Sequence, residues 1–203
     1  MARPSEFDRD EAIASAIKVF ARHGFEAAST SDLLDGMGIG RQSLYGAFGD
    51  KRRLFLEALR RYAADSLAQM QGALETGTAS EGVEAALLVG LGSSDDVETG
   101  CLGVGSIVEF SRSDPDVNAQ NDAAGLAVVA AFAGRIRDGM AAGQFDKGLD
   151  AEAAARMLLS LRSGLKVSAR GGASEADLRD AARLALRGLR PYSPLPMRIS
   201  GTR

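Results

Sequence analysis

Arg41, Gln42, Ser43 and Tyr45 stand close together between the apolar residues Ile39, Leu44 and Phe48. Arginine donates a bidentate pair to guanine and glutamine does the same for adenine, while serine and tyrosine hydroxyls reach phosphate oxygens. Leu44 and Phe48 are four apart and share one face of a helix, which leaves the polar side chains pointing outward or at the flanks. Upstream, Gly38 and Gly40 flank Ile39 and supply a short, sterically open link to a preceding helix over Thr30–Met37. The pair reads as a helix-turn-helix, and its chemistry is DNA recognition. Spacing alone also admits an ordinary pair of surface helices.

Other chemistry is poorly provided for. The chain has one histidine, His23, and one cysteine, Cys101, so a zinc site built on those residue types is disfavoured. Serine–histidine and cysteine–histidine catalysis would both have to recruit His23, which precedes Gly24 at the expected end of the first helix and suits a C-terminal cap or a phosphate neighbour. No G-x-x-x-x-G-K-[ST] loop is present, and Gly103-Val104-Gly105 lacks the third glycine and the preceding strand of a dinucleotide site. The carboxylate pairs Asp95-Asp96 and Asp114/Asp116 sit in loop-like surroundings and suit turns and helix caps. No cofactor is expected.

The order of motifs over roughly the first sixty residues resembles the TetR/AcrR family of one-component transcriptional repressors. The likeness runs from Gly24-Phe25-Glu26 through Asp32-Leu33 and Gly38-Ile39-Gly40 to Leu44-Tyr45, Phe48, Asp50-Lys51 and Leu54-Phe55. It implies an all-α dimer, with a three-helix DNA-binding domain and a larger helical domain that senses a ligand and releases DNA. Two positions depart from the family pattern: Gly40 stands where serine is usual, and Ala47 where tyrosine or histidine is frequent. Glycine is an acceptable N-cap but brings no hydroxyl. The DNA-contact candidates are Ser29, Thr30, Arg41, Gln42, Ser43, Tyr45 and Lys51.

The formal charge of −3 is unevenly divided. Residues 37–61 hold six basic side chains against two acidic, while residues 62–150 hold four against fourteen. A basic end and an acidic body would orient the molecule on approach to phosphates. At 203 residues and 45% hydrophobic content the chain can bury a sizeable core, and it has no apolar run long enough to span a membrane. Acidic residues begin at Glu6 where a signal peptide would be apolar, so a cytoplasmic location is expected.

The elements that must carry these residues follow from periodicity. Ile13, Ala16, Ile17 and Phe20 mark an amphipathic helix over 9–23, with Asp8 and Glu11 at its start. Ser29 with Asp32 offers a capping box for the second helix, the recognition helix spans Arg41–Phe48, and Asp50 caps a long helix over 51–75 that joins both domains. That long helix is the expected route of coupling. A helix over 80–91 and a polar loop at 92–99 come next. Periodicity does not decide whether 101–110 is strand or helix; the resemblance, through a Gly-Cys-Leu opening and a following Asp-Pro, favours helix. Further helices are expected over 115–142, 150–170 and 174–190, and a disordered tail from 191.

The domains are therefore 1–49, binding DNA, and 50–190, sensing a ligand and dimerising through 150–170 and 174–190. A twofold dimer would read a palindromic operator with half-sites about 34 Å apart. Candidate pocket residues for an apolar small molecule are Leu67, Met70, Cys101, Val104, Val108, Phe132, Ile136 and Leu161. Cys101 is also a candidate redox sensor, because a thiolate at a helix N-terminus is stabilised by the dipole. The rival readings are a helical binding or scaffold protein that has lost DNA recognition, and an enzyme with Cys101 as nucleophile.

Overall fold

The computed structural model describes residues 7–91 and 100–191, and all regular structure within them is helical. The helices are α1 (Arg9–Ala27), α2 (Thr30–Met37), α3 (Arg41–Phe48), α4 (Lys51–Leu74), α5 (Ala79–Leu88), α6 (Leu102–Phe110), α7 (Pro115–Ala141), α8 (Ala151–Arg170) and α9 (Glu175–Arg187). The ambiguous 101–110 stretch is α6. The 92–99 loop, with Asp95 and Asp96, and the tail beyond Pro191 lie outside the described residues.

Most starts are set by local chemistry. Ser29 and Asp32 close a reciprocal capping box on α2, Thr78 and Glu81 on α5, and Ser174 and Asp177 on α9, each satisfying amides that a helix start leaves without partners. Asp50 caps α4 through the amide of Arg53. Asp114 caps α7, with Pro115 in the first turn, where a missing N–H costs nothing. The cap of α6 is unusual: Cys101 Sγ accepts from the amide of Val104 at 3.4 Å.

Two apolar cores result. The first gathers Ile13, Phe20, Leu33, Leu44, Phe48, Leu54, Phe55 and Leu59 around the helix-turn-helix, and it also takes Leu102 and Val117 from later in the chain. The apolar packing thus runs across the position expected to divide the domains. The second packs Met70, Leu74, Val83, Leu87, Phe132, Ile136, Phe145, Leu158, Leu165, Leu178 and Leu186. α4 threads both, giving its first turns to one core and its last turns to the other.

Within the first core, a cluster of four phenylalanines ties the end of α6 to α1 and α4. Phe20 and Phe25 of α1, Phe55 of α4 and Phe110 at the end of α6 lie in linked contacts with ring centroids 5.0–6.4 Å apart, Phe20 and Phe55 meeting edge to face at 83°. Such pairs add to plain area burial. Phe55 is 1% exposed and touches the other three rings. Phe55→Ala should therefore destabilise the protein by about 3–5 kcal/mol in urea denaturation, the usual cost of emptying a buried aromatic site; a loss below about 1 kcal/mol would show that the cluster does not carry the junction.

Candidate DNA interface and effector cleft

The recognition helix is held from behind and free in front. Leu44 and Phe48 are buried, at 1% and 5% exposure, while Arg41, Gln42 and Tyr45 are exposed and Ser43 is half-buried. Gly38 ends α2 in the left-handed conformation, and Ile39 packs against the first core. Gly40 is different: its φ of −79° is ordinary extended backbone with open space around it, so any residue would fit, and α3 starts with no side-chain cap. Thr30 opens α2, and the Ser29 hydroxyl is committed to Asp32, donating to its carboxylate at 2.6 Å and accepting from its amide. That bonding holds the Asp32 carboxyl below its usual range.

Several cations counted toward a basic DNA face have internal partners. Arg52 bridges Asp114 and Asp116 at 2.8 and 3.0 Å, and Arg61 pairs with Asp65 and Asp10. Lys51 donates to the carbonyl of Glu26 at 3.2 Å, with its ammonium 4.7 Å from the Phe25 ring. Arg41 has no carboxylate partner among the described residues.

Behind this face α1 breaks. Gly24 takes φ 79° and ψ 178°, after which one further turn completes the helix to Ala27, past the expected end at residue 23; His23 is exposed there. The break removes the bonds that Phe25 and Glu26 amides would make to the carbonyls of Ala21 and Arg22, four residues back. Both halves of both bonds are replaced from the rest of the chain. Glu109 on α6 accepts from Phe25 N–H at 2.8 Å and Glu26 N–H at 2.7 Å. Arg170 at the end of α8 donates to Ala21 O at 3.2 Å and Arg22 O at 3.3 Å. Space for this is made by glycine: a Cβ on Gly24 would lie 2.9 Å from the Glu109 carboxylate, and one on Gly100 would lie 1.8 Å from the Arg170 guanidinium.

At the other end of α6, Cys101 sits in a polar cluster. Tyr62 Oη donates to Cys101 Sγ at 3.1 Å, and Lys166 Nζ donates both to Sγ at 3.3 Å and to Tyr62 Oη at 3.3 Å. Burial pushes the thiol pKa up, but the Lys166 charge and the donors from Tyr62, Val104 and Lys166 outweigh it, and the thiol titrates below its ordinary value. A lower thiol pKa raises the share of the sulfur present as thiolate, the nucleophilic form.

Cys101 and Lys166 border openings on three sides, of which the largest is a cleft of about 1030 Å³ between α4, α6, α7 and α8. Of the expected pocket residues, Leu67, Cys101 and Val104 line this cleft. Val108 is 75% exposed and faces a separate groove beside α1. Met70, Phe132 and Ile136 are fully buried in the second core, and Leu161 packs against it, so these four form structure and not cleft wall. Helical periodicity says that a residue faces inward; it does not say whether a core or a cavity lies there. Arg162, Lys166, Glu109 and Arg170 are absent from the expected site residues, and Tyr62 is expected from its sequence only to pack in the long helix. Arg162 had a signal: it occupies an inward place among Leu158, Leu165 and Ala169, where an arginine has no business without a purpose.

Residues 12–58 match the family model described as "Bacterial regulatory proteins, tetR family". The chain is similar to the HTH-type transcriptional regulator YezE of Bacillus subtilis, 36% identical over 120 residues that span 58% of this chain and 62% of that relative. It is 29% identical to the HTH-type transcriptional repressor ComR of Escherichia coli over 191 residues, 91% of this chain and 90% of ComR. Among solved structures, a cysteine mutant of the TetR family regulator CifR, complexed with 26-bp double-strand operator DNA, superposes with a TM-score of 0.76 at 33% identity, covering 91% of this chain and 98% of that one. With a matching helix-turn-helix and this likeness along almost its whole length, the chain belongs to the TetR family of bacterial transcriptional regulators.

Proposed function

We propose that the protein is a cytoplasmic repressor that binds a palindromic operator as a homodimer and releases it when a small molecule occupies or modifies the cleft at Cys101. The carrying observation is that one helix joins the two events. α6 has Cys101 in the cleft at one end and, eight residues or about 12 Å on, Glu109 holding the broken turn of α1 at the other. A group added to Sγ would displace the donors from Tyr62, Lys166 and Val104, shift α6, and carry the carboxylate off the Phe25 and Glu26 amides. This moves the coupling route from α4, where the sequence put it, to α6. ComR is a transcriptional repressor, and CifR binds operator DNA.

Dimerisation through α8 and α9 is supported by apolar side chains left at the surface: Met157, Val167 and Leu184 are 44%, 58% and 67% exposed. Residues 151–203 are also the second basic segment, ten basic side chains against four acidic. The reading as a binding protein without DNA recognition draws on the uncapped start of α3 and on the internal pairing of Arg52 and Arg61.

In an operator-binding assay at fixed salt, Arg41→Ala should cost about 1–3 kcal/mol and relax specificity at one base position; no effect, in a protein that does select a palindrome, would remove Arg41 from base readout, and no palindrome at all would favour the binding-protein reading. Alkylation of Cys101 should accelerate as pH rises to a plateau whose midpoint lies below that of a free thiol, because only the thiolate reacts; Lys166→Met should move that midpoint up. Glu109→Ala should leave the alkylation rate unchanged while shrinking, several-fold, the difference in operator affinity between alkylated and unmodified protein. An undiminished difference would show that coupling runs elsewhere.

A further inference from the structure

Cations outnumber anions along the wall of the cleft. Among the described residues, four basic side chains line it, Arg60, Arg156, Arg162 and Lys166, against one acidic side chain, Asp122, which is itself paired with Arg112 at 2.9 Å. Arg162 is the telling member. It is 6% exposed, and no carboxylate pairs with it among the described residues. Among the described residues its guanidinium makes only long bonds to neutral oxygens: the carbonyls of Ala86 at 3.3 Å and Val89 at 3.4 Å, and the Ser66 hydroxyl at 3.5 Å.

Removing a cation from water costs several kcal/mol unless an anion answers it. Carbonyls at the end of α5 offer a partial negative charge only. Lys166 follows Arg162 by four residues on α8, a like-charge spacing that disfavours the helix by itself. A Cys101 thiolate would be shared with Lys166 and Tyr62, which both bond its sulfur, whereas Arg60 and Arg156 are exposed and answered by water, so Arg162 is the buried cation that lacks a dedicated anion among the described residues. The remaining walls are hydrocarbon, with Leu67, Val104, Ile107, Val128, Val129 and Leu159 leading outward.

We infer that the cleft binds a small organic acid, its carboxylate seated between Arg162 and Lys166 and its apolar part along α4, α6 and α7. Arg supplies a planar fork matched to a carboxylate, and Lys a point charge beside it. The inference deepens the effector reading above and rests on it for its meaning in regulation, but binding itself does not require DNA.

The test is calorimetric titration of the full chain, without DNA, using octanoate, octan-1-ol and inorganic phosphate. Octanoate should bind at least tenfold more tightly than octanol, whose apolar part is the same length, and phosphate should not displace it. Arg162→Met and Lys166→Met should each weaken octanoate at least fivefold and leave octanol unchanged. Because Arg162 also touches the end of α5, its variant is paired with circular dichroism; Lys166→Met and the octanoate-to-octanol ratio of the unaltered protein decide the matter if it does not fold. Equal binding of acid and alcohol, no binding of either, or displacement by phosphate each overturns the inference. Charge-selective binding that leaves an operator complex intact would instead sink the release mechanism while the acid site stands.

Discussion

When a helix breaks at a left-handed glycine it strands amides on one side and carbonyls on the other, and buried or half-buried groups of that kind must be answered. At Gly24 the answer comes from two side chains of opposite charge, Glu109 for the amides of Phe25 and Glu26 and Arg170 for the carbonyls of Ala21 and Arg22. Neither belongs to the three-helix head. The conformation of the head's first helix is thereby made conditional on the positions of α6 and α8. The phenylalanine cluster reinforces the dependence, since Phe110 sits one residue beyond Glu109 and packs on Phe25 and Phe55. Charge-assisted hydrogen bonds give the junction its geometry, and ring packing gives it much of its strength.

Seen from this junction, the placement of Cys101 has a physical logic. Its sulfur is the N-cap of α6, so a change of charge or size at Sγ acts on the start of the helix whose end holds the junction. The thiol is activated by the same Lys166 that lines the cleft, so covalent reaction and reversible binding would draw on one set of side chains.

Electrostatics within the chain also revises what a charge count suggests. The basic segment from 37 to 61 supplies fewer cations to the DNA face than its composition promises, since Arg52 and Arg61 are bound to carboxylates and Lys51 to a carbonyl. They brace the head against the body. Arg41, at the first turn of the recognition helix, stays open to solvent. The cleft in the body is apolar over most of its wall, and its charged side chains among the described residues are four cations and one carboxylate.

Local patterns decided much of this protein. The capping boxes at Ser29 and Ser174, the caps at Asp50 and Asp114, the 3.6-residue stripes and the buried pair Leu44 and Phe48 are short-range features, and each is legible because the interaction that enforces it spans only a few residues. The helix-turn-helix with its outward polar set belongs to the same class. What only the tertiary structure decided involves partners far apart in sequence: Glu109 lies 84 residues from Phe25 and Arg170 lies 149 from Ala21, and no periodicity encodes such a meeting. The same holds for Tyr62, Cys101 and Lys166, brought together from three helix segments, and for the sorting of inward apolar residues into core, as with Met70 and Phe132, or cleft, as with Leu67 and Val104. A sequence shows which side of a helix avoids water; which neighbour covers that side, and whether it fills the space, is settled by packing the helices together.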